Sequence, residues 1–321
     1  MKIVFLDRES LDRGDLDFSG LDGLDAEVRY HASTPPELVA ERIMDAQIVV
    51  TNKVVLDRGL IDGARRLTAI CVAATGTNNV DLQAAADRGI HVSNVTGYAT
   101  ASVVQHVFAL ITSLQVRLLQ QVRAVRRGDW TRATQFCLLD YPFHELAGKT
   151  LGIVGYGELG RAVARAAQAF GMQVMISQRP GAAAVAVEPV AAVRRYPLEQ
   201  VLRNADVLSL HCPLAPNTQH LVDRHALALM KPGALLINTA RGGLVDEQAL
   251  AEALRHGRLG GAGLDVLSRE PPEQDNPLLS LDLPNLIVTP HIAWASIEAR
   301  QRLLSKLISN IKCALGLSSR A

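Results

Sequence analysis

Cysteine is sparse in this chain and never closely paired. The four cysteines, Cys71, Cys137, Cys212 and Cys313, form no CxxC motif, which argues against a disulfide framework and for reduced thiols in a cytoplasmic protein. Neither sign of charge is in excess: 33 Lys and Arg face 32 Asp and Glu, for a formal net charge of +1. So balanced a chain has no general pull on nucleic acid or on an anionic membrane, and any anion it binds must be held by local groups. Long apolar runs are missing, and none approaches the ~20 residues that span a bilayer. The start, Met1-Lys2-Ile3-Val4-Phe5-Leu6-Asp7, is too short an apolar run for a secretory leader and reads as a first strand. His211, Cys212 and His220 lack metal-ligand spacing, so no metal is expected, and no serine sits in a nucleophile elbow. There is no internal repeat.

What is present is alternation. The 321 residues are too many for one comfortable core, so two domains are expected. Short runs rich in Val and Ile at 3–6, 47–51 and 68–74 predict strands, with helix-like segments such as 36–44 between them. The pattern resumes with a strand at 150–154, a helix at 158–170, and strands at 174–177, 207–210, 234–238, 263–266 and 286–289. Alternation of this kind predicts parallel sheets with crossover helices. Between the two blocks, 99–125 reads as one long helix. Val103, Val107, Leu110, Ile111, Leu114 and Leu118 recur at helical spacing, and Val104, Phe108 and Leu119 lie off that stripe. A helix apolar on more than one side is buried on more than one side, between two domains or between two subunits. The stretch 180–193 reads as a mobile connection, 295–315 as an amphipathic helix, and the run Arg117, Arg123, Arg126 and Arg127 as a solvated face.

The strongest local signal is Gly155-Tyr156-Gly157-Glu158-Leu159-Gly160, three glycines directly after a strand and opening a helix. In that context the spacing predicts a dinucleotide site. Gly155 permits the tight turn, Gly157 lets backbone approach a pyrophosphate, and Gly160 lets the helix sit close to the sheet. The N–H groups of the helix start then hold the phosphates. At the end of the next strand an acidic residue usually receives the ribose hydroxyls of NAD. Gln178 and Arg179 stand there instead. Glutamine can hydrogen-bond a ribose and Arg179 can pair with the 2′-phosphate of NADP, so the coenzyme is NAD or NADP.

Arg241, Glu270 and His291 fall at strand ends or loops of the second half. Alone, each would pass for a surface arginine, a solvated glutamate or a satisfied histidine. Together at strand ends of an α/β sheet, where ligands gather, they form a candidate reacting set.

The glycine motif, His211-Cys212-Pro213-Leu214, the block from Met230-Lys231-Pro232-Gly233 to Arg241-Gly242-Gly243, and Pro290-His291 follow one another in a fixed order. Through them the chain resembles, over nearly its whole length, the D-isomer-specific 2-hydroxyacid dehydrogenase family. Trp294 and the run Leu138-Leu139-Asp140-Tyr141-Pro142 are most similar to the glycerate dehydrogenase, or hydroxypyruvate reductase, group within it.

The resemblance implies an α/β fold of two doubly wound parallel-sheet domains. A Rossmann-type dinucleotide-binding domain, 99–290, would be inserted into a flavodoxin-like substrate domain, 1–98 plus 291–321. Arg241 would bind the substrate carboxylate through its planar fork. His291 would be the general acid in reduction and the base in oxidation, with Glu270 fixing its tautomer and favouring its protonated form. Asp265 would lie near the nicotinamide. Cys212, Pro213, Thr218, Thr239, Ala240 and Ala293 would line the cofactor groove, Thr218 near a phosphate. Backbone N–H groups at Thr75 and Gly76 would meet the substrate carboxylate, with Asn52 and Lys53 at a neighbouring strand end. Residues 94–97 would form a hinge.

The implied reaction is hydride transfer between NAD(P)H and a small 2-keto acid to give a D-2-hydroxy acid. Hydroxypyruvate to D-glycerate comes first, with glyoxylate to glycolate as a side activity. One rival is 3-phosphoglycerate or another D-2-hydroxy acid; a phosphate would need a further cationic pocket, for which only Lys53 offers itself. The other is a nicotinamide-sensing interaction protein without turnover, against which the retention of Arg241, Glu270 and His291 argues. A homodimer is expected, with no nucleic-acid or membrane partner.

Overall fold

The computed structural model describes residues 1–179 and 194–317, so the connection read at 180–193 lies outside the described residues. The chain divides into two compact units, Met1–Ala99 with Trp294–Ala321, and Thr100–Ala293. The chain returns to the first unit after Ala293, later than the boundary at 290 drawn from sequence.

The first unit is built on five parallel strands, β1 (Lys2–Phe5), β2 (Glu27–Tyr30), β3 (Ile48–Thr51), β4 (Ala69–Val72) and β5 (His91–Ser93), in the order β2-β1-β3-β4-β5. Both faces are covered. Ile3, Phe5, Ile48, Val50, Ala69 and Cys71 face one layer, while Val4, Val49, Ile70 and Val72 face the other. That is the two-residue period of a strand, and burial on both faces is why these runs contain no polar alternation. The first layer is closed by the C-terminal helix Ile297–Ala314, which buries Leu303, Leu304, Leu307 and Ile311 completely. Each such side chain is worth about 1.5–3 kcal/mol before the entropy of ordering it.

The second unit carries seven parallel strands. They are β6 (Thr150–Val154), β7 (Gln173–Ser177), β8 (Arg195–Tyr196), β9 (Val207–Leu210), β10 (Leu235–Asn238), β11 (Gly261–Leu264) and β12 (Leu286–Val288), ordered β12-β11-β10-β9-β6-β7-β8. This is the doubly wound dinucleotide-binding order with one further strand, and its direction of winding reverses between β6 and β9. In β11 a Cβ on Gly263 would meet Leu110, and one on Gly261 would come within 3.0 Å of Leu114. The missing side chains let the helix Thr100–Gln115 lie close against that strand.

The long helix expected at 99–125 is two helices. Thr100–Gln115 ends, Arg117 adopts a left-handed φ of 52°, and Leu118–Arg126 leaves at an angle of 61°. Val103, Val107, Phe108, Leu110, Ile111 and Leu114 are buried in the first helix, whereas Leu118, Leu119, Val122 and Val125 in the second are exposed. Among the described residues no single helix is long and apolar enough to cross a membrane.

Candidate active site

The three glycines of 155–160 do three different things. Gly155 has φ +94°, and a Cβ there would lie 2.5 Å from the Cys212 nitrogen and the His211 carbonyl carbon. The turn after β6 is thus pressed against the loop after β9, at the point where the winding reverses. A Cβ on Gly160 would lie 2.1 Å from the Gly155 carbonyl oxygen, so the helix Glu158–Ala169 can pack here only with glycine. Gly157 differs, with nothing within 4 Å of its would-be Cβ. As N-cap it offers no side-chain hydrogen bond to the helix start. An uncapped helix N-terminus below open space is what a diphosphate requires. Beside it the Tyr156 carbonyl accepts from Arg161 Nη1 at 3.2 Å, Leu159 follows in the first turn, and Glu158 accepts a hydrogen bond from the Thr100 hydroxyl.

Two buried polar atoms at neighbouring strand ends have no hydrogen-bond partner: Thr239 Oγ1 after β10 and His211 Nδ1 after β9. Orphans of this kind are rare in folded proteins and fit a groove shaped for a polar ligand. The other ring nitrogen of His211 meets Ser209 Oγ at 2.9 Å, and burial pushes the imidazole down to about 4, so it is neutral near pH 7. Burial likewise raises the Cys212 thiol. In the exposed loop that begins at Pro213, the Thr218 hydroxyl is taken up locally, donating to the Pro213 carbonyl at 2.9 Å and accepting from the Ala215 N–H at 2.7 Å. It braces the loop. At the end of β7 the Gln178 N–H donates to Tyr196 O at 2.8 Å, which aligns β8 and leaves Arg179 exposed.

Arg241, Glu270 and His291 follow three adjacent parallel strands, β10, β11 and β12, at their carboxyl ends. His291 Nδ1 and Glu270 Oε2 are 2.6 Å apart. The other carboxylate oxygen of Glu270 accepts from Leu267 N at 3.0 Å, so the acid is fixed before it orients the ring. His291 has a left-handed φ of 52°, unusual outside glycine, and its N–H donates to Asp265 O at 2.8 Å. Arg241 is exposed, and its Nη1 donates to Ala240 O at 2.7 Å. Asn238, buried at the end of β10, accepts from Ala240 N at 3.0 Å and donates to Arg241 O at 2.8 Å. A Cβ on Gly242 would overlap the Leu267 backbone, so the loop after Arg241 is pressed onto the one leading to Glu270.

Asp265 is buried, and both its oxygens take protein donors. Oδ1 accepts from Thr289 Oγ1 at 2.6 Å and Ile292 N at 2.9 Å, and Oδ2 from Ala293 N at 2.8 Å. The observed work of this carboxylate is to hold residues 289–293, the loop that carries His291. This binding also explains why the second unit extends to Ala293.

In the first unit, Asn52, Lys53, Thr75 and Gly76 lie just beyond β3 and β4, at the carboxyl edge of the smaller sheet. Asp7, buried at the end of β1, accepts from the backbone N–H groups of Asn52 at 2.9 Å and Lys53 at 2.6 Å. Burial pushes its carboxyl up, against those N–H groups and the Lys53 charge. Thr75 Oγ1 donates to Val95 O at 2.9 Å, and Asn94 Nδ2 to Thr75 O at 2.6 Å, so 94–95 are tied to that loop. Gly97 has a φ of +67° near the exit toward the second unit. Among the described residues no group of three His, Cys, Asp or Glu could hold a metal ion.

Sequence reasoning passed over Asn238, Asp7, His106 and Thr289. A histidine among apolar helix residues looks like core, and an asparagine before a loop looks like a turn. Long-range partners mark out Asp7, His106 and Thr289, while Asn238 is marked by its burial and its two bonds to the loop that follows it.

The family described as D-isomer specific 2-hydroxyacid dehydrogenase, NAD binding domain, matches residues 108–293. The chain belongs to the D-isomer-specific 2-hydroxyacid dehydrogenase family. It is 45% identical over 312 residues to a glycerate dehydrogenase of Methylorubrum extorquens, covering 97% of this chain and 95% of the relative. To a hydroxypyruvate reductase of Blautia hydrogenotrophica it is 40% identical over 314 residues, covering 97% and 96%. The crystal structure of a D-lactate dehydrogenase from Aquifex aeolicus, complexed with NAD and lactic acid, superposes with a TM-score of 0.81 at 28% identity, covering 98% and 95% of the two chains.

This dehydrogenase therefore uses a nicotinamide dinucleotide. The residues present fit it: open space over Gly157, the uncapped helix start and the orphaned Thr239 hydroxyl all lie along the carboxyl edge of β6 and β10.

Proposed function

We propose that this dehydrogenase reduces hydroxypyruvate to D-glycerate with NADH or NADPH, and glyoxylate to glycolate as a side activity. The observation that carries the reading is the 2.6 Å pair of His291 Nδ1 and Glu270 Oε2, one strand away from the Arg241 loop. The bound coenzyme supplies the hydride. With Nδ1 held by the glutamate, the imidazole hands over its Nε2 proton to the ketone oxygen in reduction and takes it back in oxidation. The Arg241 guanidinium receives the substrate carboxylate as a charge-assisted fork. The roles read for Asn52, Lys53, Thr75 and Gly76 toward substrate, and for Gln178, Arg179, Cys212, Pro213, Thr218, Ala240, Asp265 and Ala293 toward coenzyme, belong to the same proposal. So does the division of labour between a substrate-binding first unit and a dinucleotide-binding second unit. The names of the two relatives support the choice of substrate.

The protein is read as a cytoplasmic homodimer without nucleic-acid or membrane partners. Four free thiols support the compartment. The exposed apolar run of Leu118, Val125, Trp130, Phe136, Leu139 and Phe143 supports a second copy as its cover. Analytical ultracentrifugation at micromolar concentration tests this; a monomer overturns it.

Steady-state oxidation of NADH and NADPH with hydroxypyruvate, glyoxylate, pyruvate and 3-phosphohydroxypyruvate tests the reaction. Hydroxypyruvate is expected to give the highest kcat/KM. His291→Asn should lower kcat about 10²- to 10⁴-fold with coenzyme affinity retained. Coenzyme binding without turnover of any keto acid would favour a sensing role instead.

A further inference from the structure

Residues Ser102, His106, Leu110 and Leu114 are spaced by four on the helix Thr100–Gln115 and so share one face. Leu110 and Leu114 rest on the glycines of β11. The two polar members of the stripe reach past the end of that strand to the loop at 289–293. Ser102 Oγ donates to Ala293 O at 2.6 Å, and His106 Nε2 lies 2.9 Å from Thr289 Oγ1. The Thr289 hydroxyl is in turn 2.6 Å from Asp265 Oδ1, and the Asp265 carbonyl holds the His291 N–H.

A count of hydrogens orders this chain. A threonine hydroxyl has one proton. At 2.6 Å from a carboxylate that also accepts two backbone N–H groups, that proton belongs to the Thr289–Asp265 bond. Oγ1 is then the acceptor for His106, whose Nε2 carries hydrogen. The direction runs one way, from His106 to Thr289 to Asp265. The same Asp265 fixes the loop through Ile292 and Ala293, on the far side of His291. His291 is thus gripped before and after itself while its own backbone stays in a left-handed conformation. A left-handed backbone costs any residue but glycine energy, and the bonds on either side of His291 offset that cost.

We propose that His106 and Thr289 are positioning residues for proton transfer, acting through Asp265 to aim the His291 imidazole. The inference rests on the acid–base role given to His291 above and extends it to a residue of the helix Thr100–Gln115 and one of the loop at 289–293. With the Thr289 hydroxyl and two backbone N–H groups bound, Asp265 keeps acceptor capacity for other contacts.

Four variants test it: Thr289→Val and His106→Leu remove the hydrogen bonds, Thr289→Ser and His106→Gln keep them. The first pair should lose about 10- to 100-fold in kcat, the scale of an ångström of misplacement, with the keto-acid KM and coenzyme Kd within about threefold of wild type. The second pair should recover to within about threefold. A readout without substrate accompanies the kinetics. The proton between His291 Nδ1 and Glu270 should give a far-downfield proton resonance, assigned by its loss in His291→Asn. It should persist in Thr289→Ser and His106→Gln and broaden in Thr289→Val and His106→Leu. If Thr289→Val and His106→Leu keep that resonance and wild-type kcat, the proposal is overturned even where their Tm falls. Because the resonance needs no substrate, it tells a failure of the positioning role apart from a wrong choice of keto acid.

Discussion

Asn238 grips the Arg241 loop at two points, its amide oxygen taking the Ala240 N–H and its amide nitrogen donating to the Arg241 carbonyl. The side chain is buried at the end of β10, so the loop takes its direction from the sheet and not from its own flexible backbone. Asn238→Asp keeps the acceptor and loses the donor. The Arg241 fork should then lose aim for a carboxylate, raising the keto-acid KM about tenfold, the size of one charge-assisted hydrogen bond partly lost. Coenzyme Kd should change less than threefold. A wild-type KM in steady-state kinetics would sink the idea.

The three glycines should separate stability from binding when each becomes alanine. Gly155→Ala forces a left-handed residue against the His211–Cys212 backbone, and Gly160→Ala overlaps the Gly155 carbonyl. Each should cost about 1–3 kcal/mol of stability. Gly157→Ala meets only open space, so the apo protein should melt at the wild-type temperature while NADH affinity falls about tenfold or more. Differential scanning fluorimetry with and without NADH reads both effects. An equal loss of Tm at all three positions would contradict the assignment.

His211 should make stability depend on pH. Burial holds its imidazole down to about 4, below the ordinary histidine value near 6.5. Between these values the unfolded chain binds a proton that the native chain does not. Stability therefore rises with pH across this window, and is lost as pH falls from about 6.5 to about 4. The contribution is at most about 3 kcal/mol. Urea midpoints at pH 7 and pH 4.5 should differ more for the wild type than for His211→Gln. Parallel shifts in the two proteins would show that this histidine is not the group responsible.

How legible these features were in the sequence depended on the range of the interactions that create them. The strand at 150–154 and the helix after it were marked by an apolar run and three glycines within a few residues, and the observed bounds are Thr150–Val154 and Glu158–Ala169. The edge strands β2 and β8 were not. Glu27–Tyr30 is polar on alternate residues and partly exposed, and Arg195–Tyr196 has two residues, so neither shows the buried Val/Ile signature. The strand expected at 263–266 starts at Gly261, because Gly-Ala-Gly has little strand propensity of its own and is selected by the helix lying on it. The break at Arg117 carries no glycine or proline to announce it. Glu270 and His291 were legible through the family resemblance. Their partnership spans 21 residues of sequence and closes only when β11 and β12 pair. Both of the Asp265 carboxylate oxygens take donors from 289–293, and that loop-holding work was invisible until the loop was in place.

The glycines of β11 have a reach beyond packing. A Cβ on Gly263 would stand 2.9 Å from Leu110, and under that pressure either the strand or the helix must yield. Leu110 sits one turn from His106, so a helix pushed outward would draw the imidazole off Thr289. A single methyl group, added where no atom reacts, would then act as a lever on proton delivery. The deficit would surface as slow turnover in an enzyme that still folds and still takes up its dinucleotide.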